Sequence, residues 1–237
     1  MSDASPLARH RELIGRVRER CDRDPAVTAA LMYGSFVDGS ADEHSDIEFW
    51  LFGPVPDPAQ WIAAVEPPLH VIRNEFGAHV AFFPGLIRGE FHFAPATETG
   101  QVATWPAGTA VDVLKGSIPA PAGTADTTAD VCGRFANWLL LAWHVGRRGE
   151  TLRRRDALAH AQRHLLGMAR RAAGTTGHRP TPSRRAEAEL PAWLLAGLDR
   201  THDDVGAAWQ LGRALWLRLD PHPPDKLIAE MDRMLHD

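Results

Sequence analysis

Across Ser117 to Thr127 the spacing of apolar residues becomes helical throughout, and a chain carrying both strand and helix patterns must build two kinds of layer. Before that stretch, short runs alternate apolar with polar residues in the two-residue period of strands. After it, apolar residues recur every three or four positions, as on helices. The stretch itself is rich in Pro, Ala, Gly and Thr, the composition of a linker. We expect an α+β chain of two domains, residues 1–118 built around a sheet and residues 128–237 folded as a helical bundle. With 237 residues, 44% of them hydrophobic, both parts can bury a core.

Within the first part, Leu7, Ile14, Val17 and Cys21 lie at helical spacing among Arg and Glu, predicting an amphipathic helix that stops near Asp24-Pro25. Val27 to Tyr33 reads as a strand. Asp46 to Phe52 reads as a second, ended by Pro54, Pro56 and Pro58. His79 to Phe83 and Ile87 to Phe93, joined through Pro84-Gly85, predict a hairpin, and Thr109 to Leu114 a further strand. In the second part, Phe135, Trp138, Leu139, Ala142 and Val145 form one stripe. Leu158, Ala161, Leu165, Met168 and Ala172 form another, and a third runs from Val205 to Leu219.

Charge and cysteine usage remove several classes of function. The 26 Lys and Arg against 30 Asp and Glu leave a formal charge of −4, which gives no pull toward nucleic acid or an anionic membrane and suits a small-molecule partner. Cys21 and Cys132 are far apart with no metal-ligand spacing, so neither a disulfide framework nor a zinc site is expected. The opening residues lack the apolar core of a signal peptide, and no apolar run approaches membrane-spanning length. The cytoplasm is the expected location.

The chemistry concentrates between Tyr33 and Phe52. A strand runs into Gly34-Ser35, a polar stretch follows, and the next strand opens Asp46-Ile47-Glu48-Phe49. Side chains alternate across a strand, so Asp46 and Glu48 share one face while Ile47 and Phe49 share the other. Two neighbouring carboxylates repel each other unless a cation lies between them. Magnesium takes one or two protein carboxylates and completes its shell with water and substrate phosphates, so Asp46 and Glu48 are the expected metal ligands and a nucleoside triphosphate the co-substrate. Gly34 lets the backbone approach phosphates, and Ser35 adds a hydroxyl and an amide at the start of the following helix. A strand, Gly-Ser, ten residues and then Asp-x-Glu in a second strand is similar to the signature of polymerase-beta-like nucleotidyltransferases.

A hydroxyl that attacks a phosphate must lose its proton, and Glu90 is the candidate base. In Ile87-Arg88-Gly89-Glu90-Phe91-His92-Phe93, Arg88, Glu90 and His92 share a face, which meets the metal if this hairpin lies beside the Asp46 strand. Weaker candidates have ordinary structural readings. His160 and His164 are four apart on a helix but lack a zincin glutamate. Eight arginines between Arg147 and Arg171, against Glu150 and Asp156, form either a solvated face or a grip on the triphosphate. Trp138, Trp143, Trp209 and Trp216 read as core, Asp112 and Lys115 as a strand end, and Asp42 and His44 as loop residues.

Met32-Tyr33-Gly34-Ser35-Phe36, Ser45-Asp46-Ile47-Glu48-Phe49 and Leu86-Ile87-Arg88-Gly89-Glu90-Phe91-His92-Phe93 together resemble the lincosamide nucleotidyltransferases, an antibiotic-modifying branch. The likeness runs from about Val27 to Phe93 and fades beyond the linker. It implies a catalytic domain with a mixed sheet, a helical substrate-binding and dimerisation domain, and a homodimer. Asp46 and Glu48 match the family's magnesium ligands and Glu90 its general base. The implied reaction moves AMP from ATP, or another nucleoside monophosphate from its triphosphate, to a hydroxyl of lincomycin or clindamycin. Related branches modify aminoglycosides, whose positive charge calls for an acidic pocket. The arginine-rich second half favours the lincosamide. Two other readings are a toxin-like transferase acting on tRNA or protein, and a degenerate domain that binds nucleotide without chemistry.

Overall fold

The computed structural model describes residues 7–175 and 181–235. These form two compact units that divide between Ala125 and Asp126. Among the described residues no helix is long and apolar enough to cross a membrane.

The first unit opens with α1 (Ala8–Arg23), whose inward face carries His10, Leu13, Val17 and Cys21. Asp24 caps it in an extended conformation, and Pro25 cannot continue it. Then come β1 (Ala29–Tyr33), the one-turn α2 (Ser35–Asp38), β2 (Ile47–Phe52) and α3 (Pro58–Ala63). Next are β3 (His70–Arg73), β4 (His79–Phe83), β5 (Ile87–Ala94), a 3-10 helix at Ala96–Thr104 and β6 (Val111–Lys115). The strands make one sheet in the order β3-β4-β5-β2-β1-β6. Only the β2–β5 pairing is parallel; the others are antiparallel, so the sheet is mixed.

The two faces of the sheet are chemically distinct. On one, Ile47, Phe49 and Phe91 are buried with Leu13 and Val17 of α1 and Trp61 and Ile62 of α3. The Phe49 and Phe91 rings stack at 5.3 Å, a pairing that adds about 0.5–1.5 kcal/mol to the area they bury. Gly89 leaves room for this layer, since a Cβ there would lie 2.8 Å from the Phe91 ring and 2.9 Å from that of Phe83. The opposite face carries the polar residues of β2 and β5 beside a smaller cluster of Leu31, Phe52 and Val102, which Tyr33, Trp50 and Trp105 extend.

The hairpin and both central strands follow the alternation of the sequence, with ends shifted by one or two residues. Thr28, just ahead of β1, already donates its N–H to the Phe52 carbonyl. In the first unit the sequence reading did not foresee three elements. β3 is a four-residue, largely exposed edge strand with no alternation to announce it, and α3 is a short helix started by the Asp57 cap and Pro58. The 3-10 segment has no helical stripe and is placed by packing of Val102 beneath the sheet.

The second unit is helical: α4 (Thr128–Arg147), α5 (Thr151–Ala173), α6 (Ala186–Glu189), α7 (Ala192–Asp199), α8 (Val205–Leu219) and α9 (Asp225–Leu235). Thr127 and Asp130 form a reciprocal capping box at the start of α4. The predicted stripes meet in one core, in which Phe135, Leu139, Leu165, Trp209 and Trp216 are buried. Trp138 and Trp143 pack partly buried against it. Arg170 is also buried, with its guanidinium donating to the carbonyls of Pro182, Thr175 and Arg184 and to Glu189.

Candidate active site

Strand register assembles the site. In the antiparallel β1–β2 pair Tyr33 stands opposite Glu48, and in the parallel β2–β5 pair Glu48 stands opposite Glu90. Tyr33, Glu48 and Glu90 therefore form a row across three strands on the polar face. Trp50 pairs with His92 one step further along the same face. Asp46 lies immediately before β2, within reach of Arg88, two residues ahead of Glu90 on β5. The structure thus brings Asp46, Glu48 and Glu90 to one region of one sheet.

Three contacts organise the carboxylates. The Arg88 guanidinium uses one terminal nitrogen on Asp46 and the other on Glu90, at 2.7 Å from Oε2. The second Glu90 oxygen is paired with Nε2 of His92 at 3.1 Å. His92 is itself held between the rings of Trp50, at 5.0 Å, and Tyr33, at 6.5 Å. Glu48 lies over Gly34, where a Cβ would collide with Oε2 and stand 2.8 Å from Cδ.

The electrostatics follow from this crowding. Burial opposes the charge on Arg88, but Asp46 and Glu90 outweigh it and raise the guanidinium pKa above its ordinary value. Burial, aided by the negative charges of Glu48 and Glu90, raises the Tyr33 phenol, which is therefore a neutral hydroxyl. On this face the Arg88 guanidinium lies against two of the carboxylates.

Gly34 joins β1 to α2 with φ 78° and ψ −157°, a conformation essentially confined to glycine. Its carbonyl accepts from the amides of Val37 and Asp38, and Ser35 is buried. The loop that follows is ordered by Asp42, which accepts from the His44 amide and the Ser45 hydroxyl, so Asp42 and His44 shape the approach to Asp46.

The other candidates have structural partners. Asp112 forms an ion pair with Arg18 at 2.7 Å, and Lys115 donates to the carbonyls of Cys21 and Asp24, closing the end of α1. His160 stacks on Trp138 at 4.3 Å. Among the described residues no group of three or more His, Cys, Asp or Glu side chains is gathered as a metal cluster. Sequence reasoning assigned no role to Arg88, His92 or Tyr33. The shared face of Arg88, Glu90 and His92 was a usable signal for the first two, whereas Tyr33 enters only through pairing of β1 with β2.

The donor set fits magnesium. Asp46 and Glu48 supply only hard carboxylate oxygens, and the guanidinium already resting on Asp46 and Glu90 marks a place where positive charge is stabilised.

No family model matches the chain, and no curated protein matches it at a significant level. Among solved structures, an aminoglycoside 6-adenyltransferase from Bacillus subtilis is similar over 95% of this chain and 95% of its own, with 12% identity and a TM-score of 0.41. A CD-NTase from Bradyrhizobium diazoefficiens in complex with GTP is similar over 98% of this chain and 94% of its own, with 14% identity and a TM-score of 0.30. Similarity this distant carries no weight for the site, which is read from the chain's own residues.

Proposed function

We propose that this chain is a nucleotidyltransferase that moves a nucleoside monophosphate from a triphosphate to a hydroxyl of a small molecule. The observation that carries the reading is the pairing of Glu48 with Glu90, which sets two carboxylates side by side with Asp46 next to the glycine turn at Gly34.

In this reading Asp46 and Glu48 hold magnesium, which when bound offsets the charge of the phosphates. Gly34 and Ser35 position the triphosphate beside Glu48, whose carboxylate fills the space that a side chain at residue 34 would need. Glu90, oriented by Arg88 and His92, accepts the proton of the acceptor hydroxyl. The freed oxygen attacks the α-phosphorus in line, the bond to the bridging oxygen of the β-phosphate breaks, and pyrophosphate leaves. Catalysis comes from positioning and from charge set in place beforehand.

We take ATP as the donor and a lincosamide hydroxyl as the acceptor, as the resemblance over Val27 to Phe93 implies, and a homodimer as the working form. The test is pyrophosphate release from magnesium ATP with lincomycin, an aminoglycoside, a tRNA pool, or no acceptor, with the product read by mass. Lincomycin heavier by one adenylyl group supports the full reading. An adenylylated aminoglycoside or tRNA moves the acceptor and keeps the chemistry. No product from any triphosphate with any acceptor overturns the enzyme.

A further inference from the structure

We propose that Arg88 is a built-in counter-ion of the carboxylate site. In the nucleotide-free protein its guanidinium holds Asp46 and Glu90 together, and on arrival of a divalent cation it yields Asp46 while keeping Glu90. The inference rests on the reading that Asp46 and Glu48 hold the metal.

The geometry of the guanidinium carries the argument. Arg88 and Glu90 are two apart on β5, so their side chains leave the same face of the sheet. One terminal nitrogen reaches Glu90 on that strand, and the other crosses to Asp46 at the edge of β2. A planar fork can serve two carboxylates at once, where a point charge cannot keep both in line. The three partners are only part-buried, at 35%, 36% and 16% side-chain exposure for Arg88, Asp46 and Glu90. Water and ions can therefore reach the bridge.

Two positive groups cannot share the Asp46 carboxylate at little cost, because each weakens the other's attraction. A metal binding through Asp46 and Glu48 must compete with Arg88 for Asp46. Its hold on Glu90 involves a carboxylate outside the proposed metal pair, so that contact persists. Arg88 is thus a positioning residue that keeps the base in place and suppresses metal binding until phosphates add their own ligands.

The experiment measures Mn2+ binding without nucleotide, by the electron paramagnetic resonance signal of the free ion, together with melting temperatures with and without Mn2+. Wild type is compared with Arg88→Gln, Arg88→Lys, Asp46→Asn and Arg88→Gln combined with Asp46→Asn. Arg88→Gln should melt lower than wild type without metal, bind Mn2+ roughly tenfold tighter, and gain more melting temperature from Mn2+. A merely structural arginine would not raise metal affinity. Unchanged or weaker Mn2+ binding in Arg88→Gln overturns the inference. Should that variant not fold, Arg88→Lys decides: its ammonium cannot span both carboxylates, so affinity should rise severalfold, and wild-type affinity overturns the inference. Asp46→Asn separates the layers. Binding lost in both Asn variants supports the metal reading, whereas wild-type Mn2+ affinity in Asp46→Asn overturns that reading itself.

Discussion

The Glu48 carboxylate lies directly over the α-carbon of Gly34, in space that any side chain at residue 34 would fill. One residue thereby serves both the turn and the acidic row, because the backbone at Gly34 adopts φ 78° and ψ −157° and leaves the carboxylate its seat. Gly34→Ala should cost about 1–3 kcal/mol from backbone strain alone and push Glu48 from its place. Thermal melting should show the loss, and pyrophosphate release should fall to background. A variant that melts and turns over like wild type would refute the close-approach argument.

Glu90→Gln keeps the shape of the side chain and removes its capacity to take a proton. Single-turnover AMP transfer should slow by about 10²–10⁴-fold, while triphosphate affinity stays near wild type. If affinity collapses instead, Glu90 holds the triphosphate or its metal, and the assignment of the base is wrong.

His92 touches Glu90 at 3.1 Å and is clamped by Trp50, so its task is to aim the base. His92→Ala should lower kcat by about tenfold with little change in KM for the triphosphate, and His92→Gln should restore part of the loss. A change confined to KM would place His92 against the nucleotide.

Stability should fall in mild acid. Burial is the main cause of the lowered pKa of both His79 and His164. Arg73 and His92 add to it at His79 against Asp57, while Arg134, Arg163 and His160 add to it at His164 against Asp126. In the unfolded chain these imidazoles protonate near the ordinary value of 6.5, whereas the folded protein resists the proton. Stability is therefore level above that pH and declines below it, as the unfolded state gains protons. Urea midpoints measured from about pH 8 to about pH 5 should show this decline, and His164→Gln should weaken it.

In the helical unit, buried Arg170 serves three backbone carbonyls and Glu189. Arg170→Met should destabilise that unit by about 3–5 kcal/mol, because those acceptors lose their donor where water cannot readily replace it. Urea denaturation followed by tryptophan fluorescence, which Trp209 and Trp216 report, measures the change.

Local pattern alone made a good part of this protein legible. The alternation in β2 and β5 separated Glu48, Glu90 and His92 from Ile47, Phe49 and Phe91, and helical spacing found the stripes that meet around Phe135 and Trp209. The Gly-Ser turn and the proline-rich stretches marked where elements stop. Such features are readable because a strand or helix period is set by the backbone of a few consecutive residues. Only the tertiary structure decided that β5 lies parallel to β2 with Glu48 opposite Glu90, that Tyr33 completes the row, and that Arg88 spans Asp46 and Glu90. Each of these joins residues far apart in the chain, and a one-residue slip in register would have sent the carboxylates to the opposite face. Burial of Phe49 and Phe91 against α1 and α3 opposes that slip, so the apolar side of the sheet sets the geometry of the acidic side.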